Sequence, residues 1–139
     1  MATIGKGAEI LVLDDDATDV MIAKRAYDMC RISNSWNSFQ TCEEFFAYLE
    51  KVKSNKLPMP ELVLTDINMP TMSGFEVLKA IRAMPEFTQL PILLVLSNSD
   101  SPDDRQQAQN SGAAWFIVKP NSIQEYVNTF KRLGDQLPK

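Results

Sequence analysis

The chain has 139 residues, 45% apolar and 23% charged, with a net charge of -4: enough for one domain with its own core, and a charge balance that argues mildly against nucleic acid or an anionic membrane as the main partner. It contains no histidine, which excludes Ser-His-Asp catalysis, most zinc sites and any role as a phosphohistidine carrier. Its cysteines, Cys30 and Cys42, cannot complete a four-ligand zinc site and are expected to be buried and reduced.

The N-terminus, MATIGKGAEI, has no apolar core of signal-peptide length, and no apolar run is long enough to span a bilayer, so a cytoplasmic location is expected. The run EILVLDDD predicts a buried strand over Glu9–Leu13 that ends in Asp14, Asp15 and Asp16. Asp16 reads as the N-cap of the helix that follows. On that helix Val20, Ile22, Ala23, Ala26, Tyr27, Met29 and Cys30 cover one half of the wheel, and Lys24, Arg25, Asp28 and Arg31 the other. Ser35–Thr41 carries Trp36 and Phe39 without clean alternation and reads as a second strand. Cys42, Phe45, Phe46, Leu49 and Val52 then fall at helical spacing.

Glu61–Thr65 is the third strand. Ser73 and Glu76 form a capping box before a helix bearing Val77, Ile81 and Met84. The run PILLVLS is the fourth strand. Next comes a helix that starts at Ser101-Pro102, has acids in its first turn and stops at Gly112. AWFIVKP is the fifth strand. Ser122 and Glu125 pattern as a second capping box, before a helix with Ile123, Val127 and Phe130 on one face. Five apolar strands alternating with five helices predict an α/β fold: a parallel sheet covered on both faces, in one domain over residues 1–139 with a core from about 9 to 133.

In a parallel sheet every strand ends at the same edge. Asp14, Asp15 and Asp16 end the first strand, Asp66 the third, Ser97 the fourth and Lys119 the fifth. With strand order 2-1-3-4-5, a doubly wound flavodoxin-like sheet, the order reverses between strands one and three, where such sheets bind ligands. Carboxylates on adjacent strands, roughly 5 Å apart, repel and raise each other's pKa. A divalent cation removes that penalty, and magnesium binds commonly through one or two carboxylates plus phosphate oxygens and water. Lys119 adds a cation for a phosphoryl oxygen and Ser97 a hydroxyl donor. The chemistry this constellation suggests is phosphoryl transfer onto a carboxylate.

The acidic pair in LVLDDD, the motif LTDINMPTMSG, the Ser97 hydroxyl and VKP, in that order and spacing, resemble the response-regulator receiver domains of two-component signalling and are similar to the chemotaxis-type single-domain receivers. The resemblance runs from about Glu9 to Leu133. It implies that Asp66 is the phosphoacceptor, taking its phosphoryl group from a phosphohistidine on a sensor histidine kinase or a histidine phosphotransfer protein. It implies Mg2+ as cofactor, held by Asp15, less directly by Asp14, by Asp66 and by the backbone carbonyl of Asn68. Lys119 resembles the phosphate-binding lysine, Ser97 the switch hydroxyl and Phe116 the aromatic that turns inward with it. The Lys119–Pro120 bond is cis in the family, an isomer that sequence does not settle. Where the family has a small residue after the switch hydroxyl, this chain has Asn98.

A receiver is a signalling phosphoacceptor that catalyses only its own phosphorylation and dephosphorylation. With no effector domain read in the sequence, the output is expected to pass to another protein or a homodimer through Pro102–Ser111, Trp115 and the last helix. No DNA-binding domain or membrane segment is expected. A packing role for Trp115 under the last helix is the plainer alternative. Two other readings use the same residues. LDDDAT fits the D-x-D of haloacid-dehalogenase-type phosphatases, with Asp14 as nucleophile and Asp16 as acid/base, but the longer chain and late acidic pair of that family are missing. A degenerate receiver that only binds partners would usually lack one of Asp15, Asp66, Ser97 and Lys119, and all four are here.

Overall fold

A computed structural model describes residues 10–30, 35–89 and 91–136, with side chains as far as 133. Glu9 and Arg31 fall outside the described residues. The elements are β1 (Ile10–Leu13), α1 (Ala17–Met29), β2 (Trp36–Phe39), α2 (Cys42–Lys53), β3 (Leu62–Thr65), α3 (Gly74–Ala83), a 3-10 turn (Pro85–Phe87), β4 (Ile92–Ser97), α4 (Pro102–Asn110), β5 (Trp115–Val118) and α5 (Ile123–Gln136). Each connection between strands contains a helix, and the strands pair in parallel in the order β2-β1-β3-β4-β5. This is the expected doubly wound sheet.

Successive strand residues point to opposite faces, and the sequence is apolar at both. Leu11, Leu13, Val63, Leu93 and Val95 meet Phe45 and Leu49 of α2, Leu78 and Ile81 of α3, and Ala108 of α4. Ile10, Val12, Leu62, Leu64, Leu94 and Leu96 meet Ala23 and Ala26 of α1, and Val127 and Phe130 of α5. Each fully buried side chain of this size contributes roughly 1.5–3 kcal/mol. Two such layers outweigh the poor helix propensity of short segments such as α4, where Ala108 is the single buried residue.

The helix starts follow the expected chemistry. Asp16 accepts from the N–H groups of Thr18 (2.9 Å) and Asp19 (3.1 Å), and Ser73 and Glu76 cap each other's N–H groups at 3.2 and 3.0 Å. The second box forms differently. Ser122 Oγ accepts from the Glu125 N–H (3.2 Å), while the Glu125 carboxylate accepts from the Asn121 N–H (3.3 Å), one residue earlier than expected. Gly112 ends α4 with φ +109°, in the left-handed region that glycine adopts freely.

Two apolar assignments are corrected. Met29 is 55% exposed, because the buried stripe of α1 (Ala23, Ala26, Tyr27) is narrower than half the wheel. Ile123 is 36% exposed; the buried stripe of α5 begins only at Tyr126. Both cysteines are free, but Cys30 is only partly buried whereas Cys42 is buried. Among the described residues no helix is long and apolar enough to cross a membrane.

Candidate functional site at the strand ends

Ladder bonds continue past the strand ends and fix the backbones of the site residues. Asp14 N–H donates to Phe39 O (3.1 Å), Asp66 N–H to Leu13 O (3.0 Å) and Lys119 N–H to Ser97 O (2.7 Å). The polar residues that end β1, β3, β4 and β5 are therefore held at one edge of the sheet. Gly74 also sets Asp66: the first turn of α3 lies so close that its N–H donates to Ile67 O at 2.8 Å.

Asp14, Asp15 and Asp66 each offer a carboxylate oxygen, and these oxygens all lie within 4.8 Å of one another. Asp14 is buried, Asp66 half-buried and Asp15 exposed, so the group opens to solvent through Asp15. Hard oxygen donors at that spacing suit a hard divalent cation and could hold one. Asp14 Oδ1 accepts from the Asp16 N–H at 2.9 Å, and Asp66 Oδ1 from the Ile67 N–H at 2.7 Å. Each keeps its Oδ2 turned toward Lys119.

The Lys119 side chain is 4% exposed. Its Nζ lies 2.8 Å from Asp14 Oδ2, 2.8 Å from Asp19 Oδ2 and 3.5 Å from Asp66 Oδ2. Burial alone would lower the Lys119 pKa, but the hydrogen bonds to Asp14 and Asp19 and the fields of Asp14 and Asp66 outweigh it, and the net shift is upward. Burial pushes the Asp66 carboxyl above its ordinary range, opposed by Lys119 and helped by Asp14. Burial raises Asp14 as well, against its bonds from Lys119 and Asp16. One ammonium does not neutralise so many carboxylates, and the imbalance is what a divalent cation would relieve.

Ser97 is 1% exposed, and its Oγ accepts from the Ser99 N–H at 3.2 Å. Phe116 lies opposite Val95 in the sheet register and is half-buried, with the Arg105 guanidinium 4.9 Å from its ring centroid. Asn68 is exposed two residues after Asp66. Asp16 caps α1 through its Oδ1, the role expected of it. Trp115, on the edge strand β5, is 41% exposed and lines a groove with Arg105, Arg132 and Leu133 instead of being covered by α5.

Two side chains were not singled out in the sequence. Asp19 reaches Lys119 from the first turn of α1, a position the N-cap at Asp16 already implied for any residue three further on. Arg105 pairs with Asp100 at 2.5 Å and covers Phe116; it is the only basic residue of α4.

A doubly wound sheet with a buried lysine among carboxylates at its strand ends defines a class of α/β domains whose ligand site lies at that edge. The comparisons narrow it. Residues 10–131 match the family described as "Response regulator receiver domain", and the chain belongs to that family. It is 32% identical over 122 residues to two-component response regulator ORR1 of Oryza sativa subsp. japonica, covering 84% of this chain but only about half, 51%, of the rice protein. It is also 32% identical over 120 residues to chemotaxis protein CheY-3 of Vibrio cholerae, covering 86% of this chain and 85% of that one. Among solved structures, response regulator RPA3017 in red light signaling of R. palustris superposes with a TM-score of 0.83 at 25% identity, over 95% of this chain and 99% of that one.

Proposed function

We propose that this chain is an active phospho-accepting receiver, and that residues 1–139 act as one such unit. An Asp66 carboxylate oxygen attacks the phosphorus of a phosphohistidine on a sensor kinase or phosphotransfer protein. The O–P bond forms as the P–N bond breaks, and the imidazole leaves with the electron pair and takes up a proton. A bound Mg2+ would be held by Asp14, Asp15, Asp66 and the Asn68 carbonyl, and would supply positive charge for the phosphoryl oxygens. Lys119 neutralises the charge that builds on the oxygens of the transferred group. Ser97 takes a phosphoryl oxygen as acceptor for its hydroxyl proton and gives up its place under the Ser99 N–H. The carrying observation is the Lys119 ammonium set between Asp14 and Asp66 at the strand ends.

Beryllofluoride, a phosphoryl mimic, is expected to bind only with Mg2+ present, and Asp66→Asn to abolish that binding. An acid-labile phosphoprotein formed by Asp66→Asn but not by Asp14→Asn would instead favour the phosphatase-like use of the first strand.

The output surface we propose comprises α4, β5 and α5. A helix with one buried side chain has little burial to lose when it shifts. Arg105 ties α4 to Asp100 on one side and to Phe116 on the other, so movement at Ser97 and Phe116 has a direct handle on it. Hydrogen exchange with and without beryllofluoride is expected to differ between Ser97 and Phe130. Identical exchange there would rule out this route.

A further inference from the structure

We propose that Asp19 is a positioning residue that competes with the phosphoryl group for Lys119 and so weakens the phosphorylated state; the inference rests on the receiver reading above. An ammonium has three N–H donors. Here two are spent at 2.8 Å, on Asp14 and Asp19, and the third reaches toward Asp66 at the longer 3.5 Å. Asp19 differs from the other two partners. It stands outside the group of carboxylates whose oxygens converge to hold a cation, and it comes from a helix, where the others end strands. A cation taken up by Asp14, Asp15 and Asp66 would draw those carboxylates to itself and leave Asp19 as the one partner of Lys119 with no other claim on it.

The fold also fixes Asp19 in place. Its N–H is tied to the Asp16 cap at 3.1 Å, in the first turn of α1, whose body packs on α5. The helix therefore holds the Asp19 backbone in place, and the carboxylate reaches Lys119 from a fixed point. When a phosphoryl group forms on Asp66, Lys119 must share its donors between a fixed carboxylate on one side and the new anion on the other. Charge-assisted hydrogen bonds of this length are the stronger kind, and Asp19 is 29% exposed, so solvent screens part of its pull. Removing the charge is expected to tighten the bound anion by roughly two- to fivefold, the discounted range for a partly exposed pair.

The test is a beryllofluoride titration by calorimetry at saturating Mg2+, with the Mg2+ affinity measured separately. Asp19→Asn keeps the side-chain volume and is expected to bind beryllofluoride more tightly although its Mg2+ affinity is no higher than that of the wild type. Asp19→Glu keeps a carboxylate within reach of Nζ and is expected to behave like the wild type. The tightening in Asp19→Asn should persist at high salt, because a direct contact is screened far less than a through-solvent field. Unchanged or weaker binding in Asp19→Asn overturns the inference, and so does a tightening that high salt removes. Failure of the wild type to bind beryllofluoride with Mg2+ overturns the receiver reading and the inference with it; binding with no Asp19 effect overturns the inference alone.

Discussion

Replacing Gly74 by alanine is expected to destabilise the protein by on the order of 3 kcal/mol, lowering its melting temperature by about 10 °C for a domain of this size. A Cβ at Gly74 would stand 2.1 Å from the carbonyl oxygen of Asp66, 2.9 Å from its carbonyl carbon and 3.0 Å from the Ile67 Cα. All three are backbone atoms, so no side chain can turn aside to make room. Against this, alanine in a helix is worth up to about 1 kcal/mol over glycine, too little to reverse the sign. The clash falls on the residue that carries the candidate phosphoacceptor, so beryllofluoride binding should weaken even in the fraction that stays folded. Gly112→Ala is the control: its nearest neighbour would be the Arg82 side chain at 3.4 Å, and its cost comes from the φ of +109°. It should lower stability and leave anion binding alone. Wild-type melting and binding in Gly74→Ala would mean that α3 does not pack on Asp66 as described.

The constraint explains why so much of the site was legible in the sequence. A parallel sheet brings all its strand ends to one edge, so a polar residue following an apolar run is placed there by topology alone. Asp14, Asp15, Asp66, Ser97 and Lys119 could be grouped on that ground before any distance was known. Asp19 could not. An acid in the first turn of a helix already has a sufficient explanation in the helix dipole, and only the packing of α1 against the sheet turns it toward Lys119. Arg105 was hidden for a similar reason, since a cation on a polar helix ordinarily faces water. The half-buried edge strand β2 and the exposed Met29 mark the other limit. Periodicity locates the centre of an apolar stripe, but the neighbouring element decides how wide it is.

The second large effect is expected at Lys119, at the end of β5. With its side chain 4% exposed and that of Asp14 6% exposed, deleting the ammonium in Lys119→Ala leaves a buried carboxylate without its countercharge. Breaking such a pair costs about 3–5 kcal/mol. Asp19 contributes less, being 29% exposed and screened. The pH dependence follows from the directions of the shifts. Lys119 has its folded pKa raised above the ordinary lysine value of 10.5, so its contribution is fully present below that value, including neutral pH, and is lost as pH rises through the folded pKa. Asp14 already has its folded pKa raised by burial, and loss of Lys119 raises it further. An acid shifted in that direction lowers stability above its folded pKa and stops doing so as pH falls through it. The deficit of Lys119→Ala should therefore be largest near neutral pH and shrink on acidification. A divalent cation should do the same at constant pH. Mg2+ at about a hundred times its dissociation constant stabilises a protein by roughly 2.7 kcal/mol, and the deficit narrows because the variant, having lost a competing positive charge, is expected to bind the ion more tightly than the wild type. Thermal unfolding of both proteins, with and without Mg2+ and across the acidic range, measures each effect. Equal stability of the two proteins in metal-free neutral buffer would show that Lys119 does not hold these carboxylates together.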